Sequence, residues 1–452
     1  MCQELALKYN VAAPRYTSYP TLPYWDTDSF DLKNWKLSVK KCFDESNNKE
    51  GISLYIHLPF CESLCTYCGC NTRITKNHHV EEPYIKALLK EWALYRAVLI
   101  DTPVIKEIHL GGGTPTFFSS SNLEMLINGL LKNVFIHPKA EFSFEAHPDN
   151  TTADHLQTLF DLGFRRLSLG IQDFDPLVQK IINRHQTYEQ VRLITQLARQ
   201  TGYTSINYDL IYGLPKQTME GLINTMDLVS NLMPDRIAFY SYAHVPWIKP
   251  GQRLFTEHDL PDATTKNALY EKGRSLLQQY GYREIGMDHF AVPNDSLSMA
   301  EATGTLHRNF MGYTHQHTQL LIGLGVSSIS DSLYGFAQNV KTVEEYLNLV
   351  NHDLPVIKGH ILTDEDLIIR QHITRIMCLG FTSWLEPAEQ CEGLFDGLEK
   401  LKPLAEDGLV TLGYYTLTVT PLGKRFLRNI CMALDARLWA KQPKSQLFSM
   451  AI

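Results

Sequence analysis

Between residues 51 and 245 the chain alternates short apolar runs with longer segments of helical period. The runs 52–58, 105–110, 141–146, 166–172, 204–211 and 236–242 read as strands. Helices are expected near 82–98, 121–133, 153–162, 175–200 and 217–232. Six strand–helix repeats of this kind imply an α/β fold: a parallel sheet with helices outside, curled toward a barrel by right-handed crossovers. The first 50 residues look like an irregular arm with short helices. Residues 260–281 read as helix, and 283–330 are rich in Gly and His without a clear period. Further on, Leu362-Thr363-Asp364 has the form of a helix start. Helices near 364–380 and 393–406, a two-strand ribbon and a helix from Pro421 describe a smaller, mostly helical, winged-helix-like unit. The expected division is an arm over 1–50, a barrel with its extension over 51–330, and a C-terminal domain over 331–452.

Polar residues cluster where the strands end. Cys61, Cys65, Cys68, Gly112, Gly113, Thr114, Glu145, Gln172, Asp209 and Ala243 all fall at or just beyond C-terminal strand ends. In parallel α/β folds that rim binds ligands. The densest signal is Cys61, Cys65, Cys68 and Cys70, four of nine cysteines within ten residues, spaced C-x3-C-x2-C-x-C. Disulfides between such neighbours are geometrically unfavourable. A structural zinc site usually takes two separated cysteine pairs, and only one compact group is present. An iron–sulfur cluster suits the spacing better. Three thiolates on a cubane leave one iron free to bind a small molecule. The remaining cysteines are scattered and read as small apolar packing residues. On the first strand Tyr55 and His57 share a face. His57 reads either as a polar contact near the cysteines or as a satisfied core histidine.

Composition narrows the class. Hydrophobic content of 44% and charged content of 20% describe an ordinary globular protein. The 42 basic residues against 49 acidic ones give a net charge of −7, which argues against nucleic acid as a main partner. The wing-like unit therefore reads as a packing domain rather than a DNA reader. No N-terminal signal pattern and no long apolar run stand out, so a cytoplasmic, reducing location without a membrane partner is expected.

The segments YIHLPFCESLCTYCGC, HLGGGTPT, EAHPDN, LGIQDFD, NRHQT and YDLIYGLPKQT resemble radical S-adenosylmethionine (SAM) enzymes. The arm PRYTSYPT, Cys70, GMDHFAVP and LHRNFMGYT are similar to the oxygen-independent coproporphyrinogen III oxidase branch. The resemblance runs from about residue 8 to the last helix. It implies a partial (β/α)6 radical SAM barrel and oxidative decarboxylation of two propionates of coproporphyrinogen III to vinyl groups, giving protoporphyrinogen IX. It also implies a reduced [4Fe–4S] cluster on Cys61, Cys65 and Cys68, with SAM cleaved to methionine and a 5′-deoxyadenosyl radical. Cys70 is not an expected ligand. Tyr55, Gly112 and Glu145 would contact a first SAM. Gly113, Thr114, Gln172, Arg184 and Asp209 would contact a second, and Tyr67, Ala243 and Ile329 would add backbone or packing contacts. Arg184 has a plainer reading as a surface ion pair. Arg15, Tyr16 and Tyr19 of the arm would hold the tetrapyrrole, with Arg308 and His289 as further unassigned candidates. A reducing electron donor and a monomeric state are implied as well. Two rivals stay in view: a haem-binding chaperone of the same superfamily, which typically lacks the arm and Cys70, and a structural zinc protein.

Overall fold

The computed structural model describes residues 2–247, 249–443 and 446–451. Its centre is one twelve-stranded sheet. In chain order the strands are β1 (Ile52–Leu58), β2 (Val104–Gly112), β3 (Phe135–Ala146), β4 (Phe164–Gln172), β5 (Ser205–Tyr212), β6 (Arg236–Ser241), β7 (Arg283–Ile285) and β8 (His289–Ala291). Then follow β9 (Leu321–Leu324), β10 (Ile329–Asp331), β11 (Gly335–Asn339) and β12 (Val356–Ile361). Across the sheet the order is β12-β11-β10-β9-β1-β2-β3-β4-β5-β6-β8-β7. The strands from β1 to β6 are parallel neighbours in sequence order, as right-handed βαβ crossovers produce. A seventh parallel strand, β9, pairs with β1 on the other side, so the site's first strand is interior to the sheet. Antiparallel strands finish both edges. Helices cover the sheet, and β1 is buried on both faces: Ile52, Leu54, Ile56 and Leu58 on one, and Ser53, His57 and the half-buried Tyr55 on the other.

Two departures from the sequence expectation follow from packing. The sheet continues through Ile361, so a division at 330/331 falls inside β10; the residues that leave the sheet begin after β12. The arm is not merely irregular, because Leu32–Glu50 is a 19-residue helix capped by the Asp31 side chain. It buries Trp35, Val39 and Phe43 in the main core and lies against β11 and β12. The C-terminal unit pairs the Asp364–Leu379 and Glu392–Glu406 helices with a three-stranded ribbon of Phe381–Ser383, Val410–Leu412 and Thr416–Val419. It has its own core, which includes Ile373, Leu401, Leu417 and Phe426. Among the described residues no helix is long and apolar enough to cross a membrane.

Candidate active site

The chain leaving β1 does not break away from the sheet at once. Gly113 N–H donates to Leu58 O at 2.8 Å and Thr114 N–H to Phe60 O at 3.0 Å. On its other side Arg73 N–H donates to Pro59 O at 2.8 Å and Thr75 N–H to Cys61 O at 2.9 Å. The first turn of the cysteine loop is thus a backbone-paired extension of the sheet. Its far part is fastened to the segment after β4: Thr66 N–H donates to Ile182 O at 3.0 Å, and Asn183 Nδ2 to Leu64 O at 2.8 Å.

Glycine is required where β2 meets this loop. Gly112 has φ 111°, and a Cβ there would lie 2.7 Å from the His57 ring. A Cβ on Gly113 would lie 2.6 Å from the Pro59 carbonyl, where backbone cannot give way. His57 is buried with both ring nitrogens engaged, one with Asn71 O at 2.8 Å and the other with the Tyr55 hydroxyl at 3.1 Å. Burial pushes its pKa down, so it acts as a neutral brace between β1 and the end of the loop.

Behind the loop lies a cavity of about 1100 Å³ open to solvent. Cys61, Cys65, Tyr67, Cys68, Gly112, Gly113, Thr114, Glu145, Gln172, Arg184 and Asp209 all line it. Tyr55, Ala243 and Ile329 do not. The Tyr55 ring turns toward His109, with ring centroids 6.0 Å apart. Ala243 offers its carbonyl to Gln252 at 3.2 Å, and Ile329 sits on β10 with its carbonyl close to Gly323. Glu145, Ser168, Asp209 and Tyr240 also line a second chamber of about 900 Å³ inside the sheet's curve, where His289 and Tyr313 lie. The two chambers therefore share a wall of polar groups.

The electrostatics sort the thiols. The pairing of Cys68 with Cys70 pushes the Cys68 thiol below the ordinary range and Cys70 well above it. Burial pushes the Cys61 thiol up to about 11, against a contact with Thr114 Oγ1 at 3.4 Å. Arg184 is buried, not a surface ion-pair residue: Nη1 reaches Cys65 Sγ at 3.7 Å and the Tyr67 hydroxyl at 3.4 Å, and Nη2 donates to Gly170 O. Glu145 accepts from Gly112 N–H at 3.1 Å and faces His109 at 3.5 Å. Burial raises its pKa, but these bonds outweigh it and leave it below the usual range. Asp209, bound by Ser168 at 3.2 Å and Asn207 at 2.9 Å, is raised to about 6 by burial and then by the charge of Glu145. Gln172 holds φ 68° at the end of β4, a conformation costing on the order of 1 kcal/mol that concentrates at functional sites.

A family model described as the radical SAM superfamily matches residues 55–229. Oxygen-independent coproporphyrinogen III oxidase of Salmonella typhimurium is 40% identical over 99% of this chain and 98% of its own length. The Escherichia coli protein of that name is 39% identical, with the same coverage. The chain belongs to the oxygen-independent coproporphyrinogen III oxidase family. The solved structure of the E. coli coproporphyrinogen III oxidase, described as a radical SAM enzyme, matches with a TM-score of 0.87 at 38% identity, over 93% of this chain and 97% of that one.

The family's cofactors are a [4Fe–4S] cluster and SAM, and the donor set fits them. Four thiols, those of Cys61, Cys65, Cys68 and Cys70, share one cavity wall, faced by backbone N–H groups, carboxylates and a guanidinium suited to an amino acid and a ribose. Among the described residues no three Cys, His, Asp or Glu side chains converge on a single-ion site. Sequence reasoning missed several supports. Gln252 Nε2 bridges Tyr67 O at 3.3 Å and Ala243 O at 3.2 Å, and Lys249 Nζ donates to Cys70 O at 3.0 Å. Neither lies near a strand end, so no rim argument finds them. Tyr16 and Tyr19, expected at the tetrapyrrole, are instead buried in the C-terminal core, where the Tyr16 hydroxyl donates to Asp435 at 3.0 Å. They anchor the arm, and Arg15 alone of the three reaches the rim.

Gly113→Ala tests the docking of the loop. Its methyl group meets the Pro59 carbonyl, so the loop shifts and cluster assembly fails while the fold persists. Iron per chain and visible absorbance after reconstitution fall well below wild type, with a far-ultraviolet circular dichroism spectrum like that of wild type.

Proposed function

We propose that this protein oxidatively decarboxylates two propionate side chains of coproporphyrinogen III to vinyl groups without oxygen, using a [4Fe–4S] cluster and SAM. The observation that carries the reading is the single cavity that gathers eleven of the sequence-derived site residues in a chain similar to these oxidases from end to end. The cluster and SAM together supply one-electron, hydrogen-abstracting chemistry that no amino-acid side chain provides.

The chain's residues place and protect that chemistry. Cys61, Cys65 and Cys68 would hold the cluster, and Cys70, on the same cavity wall, stays outside the ligand set. Glu145, fixed by Gly112 N–H, accepts from one SAM. Arg184, Gln172, Asp209, Gly113 and Thr114 serve a second, while Tyr55, Tyr67, Ala243 and Ile329 support the pocket from behind or through backbone. The shared polar wall of Glu145, Ser168, Asp209 and Tyr240 separates the thiol-lined chamber from the deeper one. The protein works as a monomer in the cytoplasm with a reducing electron donor and without nucleic acid or membrane.

Anaerobic incubation with a reductant, SAM and coproporphyrinogen III, followed by mass analysis, tests the activity. Formation of 5′-deoxyadenosine with loss of two CO2 is expected, and Cys65→Ala abolishes both. An untouched tetrapyrrole with a fully loaded cluster contradicts the reading and favours the haem-chaperone alternative. Asp209 adds a pH signature. Its pKa of about 6 means that it is ionised above that pH and accepts from ribose hydroxyls. SAM affinity measured by calorimetry falls as pH drops through about 6 in wild type, and Asp209→Asn binds about tenfold more weakly at pH 8 with that dependence gone.

A further inference from the structure

Where β6 ends, the rim carries positive charge that the protein neutralises only in part. Arg15 reaches Ser241 O at 3.4 Å and Asp288 Oδ2 at 3.5 Å, both long contacts, and its side chain is one-third exposed. Lys266 Nζ donates to Tyr242 O at 3.2 Å. Arg428 is held by backbone carbonyls of Ala13, Pro14, Ser449 and Met450 and by the Ser449 hydroxyl. Arg308 is 8% exposed, yet its Nε and Nη1 are buried without a hydrogen-bond partner, and its Nη2 lies 3.5 Å from Arg15 O. Its guanidinium rests 4.4 Å above the Tyr313 ring, which lines the deeper chamber.

Among the described residues Lys266, Arg308 and Arg428 have no carboxylate within ion-pair distance. Asp288 is the one acid paired with a member of this group: its Oδ1 accepts from His289 Nδ1 at 2.6 Å, its Oδ2 lies 3.5 Å from Arg15, and its charge also acts on Arg308, so one carboxylate faces four cations. Burial together with the charges of Arg15 and Arg428 pushes Lys266 down to about 8, and burial with Arg15 pushes Arg428 down to about 9. A buried guanidinium with idle donors costs stability unless a ligand answers it. Arg428 is spent on fastening the arm. Arg15 lies over the Tyr240 ring at 5.9 Å and Lys266 bonds the Tyr242 carbonyl just beyond β6, beside the Tyr240 wall that both chambers share.

We propose that Arg15, Arg308 and Lys266 form a carboxylate-binding subsite that seats a propionate of the tetrapyrrole and so orients the macrocycle. The identity of the ligand rests on the proposed function; the demand for an anion rests on the idle guanidinium and the unbalanced charge. Arg15 is the movable member. Its side-chain contacts to Ser241 and Asp288 are long and it is one-third exposed, so it is free to turn to a carboxylate. Arg308 is prepositioned by its ring contact, and Lys266 adds charge from the far side.

The test is binding of coproporphyrin III, the stable oxidised form, to the full-length protein, against its tetramethyl ester. Arg15→Gln, Lys266→Met and Arg308→Gln are each expected to weaken coproporphyrin III by about tenfold or more and leave the ester unchanged. Arg308→Lys recovers part of the loss. SAM affinity, iron content and the circular dichroism spectrum stay at wild-type values in the Lys266→Met protein, in which the methionine keeps the apolar stem of the half-buried lysine. Unchanged coproporphyrin III affinity in both Arg15→Gln and Lys266→Met overturns the subsite, as does an equal loss for acid and ester. A wild-type protein that binds the acid through these residues yet decarboxylates nothing overturns the activity and leaves the subsite standing.

Discussion

The site depends on the close passage of the β2 glycine turn past the cysteine loop. Backbone bonds from Gly113 and Thr114 on one side, and from Arg73 and Thr75 on the other, hold residues 58–61 as though the sheet continued. A loop with three reactive thiols would otherwise sample many conformations, each holding the sulfurs differently. Pairing removes that freedom without a side chain, and it works only because Gly112 and Gly113 lack a Cβ at the contact. His57, Arg184 and the Thr66 contact then fix what the sheet cannot reach. Being interior between β9 and β2 makes β1 a rigid base for all of this.

The rest of the molecule distributes charge around that base. The overall balance is negative, yet the rim near β6 is locally positive, and the carboxylates that face the cavities are shared out. Glu145 is kept ionised by His109 and Gly112, while Asp209 next to it is raised toward neutrality by burial and by Glu145 itself. Two neighbouring acids thus differ in proton affinity because one is bonded to donors and the other is mainly buried, which lets a single polar wall serve cationic and neutral groups side by side. The arm closes the picture from outside. Tyr16 and Tyr19 tie it into the C-terminal core, which leaves Arg15 suspended over the rim.

Much of this was legible in the chain. Long strands with helices between them gave the parallel core, and polar residues at strand ends marked the rim, because period and punctuation are local properties. The edge strands β7 to β12 were not legible as a sheet. They are three to six residues long, and what makes them strands is a neighbour already in place. The Leu32–Glu50 helix was missed although Trp35, Val39, Cys42 and Phe43 repeat at helical spacing; the polar residues between them hid the stripe. Side-chain direction was the least readable quantity. Tyr16 and Tyr19 look like ligand contacts in the arm and turn into the core, whereas Arg184, read as a ligand contact with a surface ion pair as the alternative, is buried against the thiols. Gln252 and Lys249 come from a segment without regular period, and only the folded chain brings them to the loop.

On the proposed function, three thiolates, not four, hold the cluster and leave one iron to SAM. Mössbauer spectroscopy of iron-labelled protein, with and without SAM, tests it most directly. SAM is expected to alter the signal of one iron in four, in wild type and in Cys70→Ser alike. Four equivalent irons indifferent to SAM, or a cluster lost from Cys70→Ser while retained in Cys61→Ser, would contradict it.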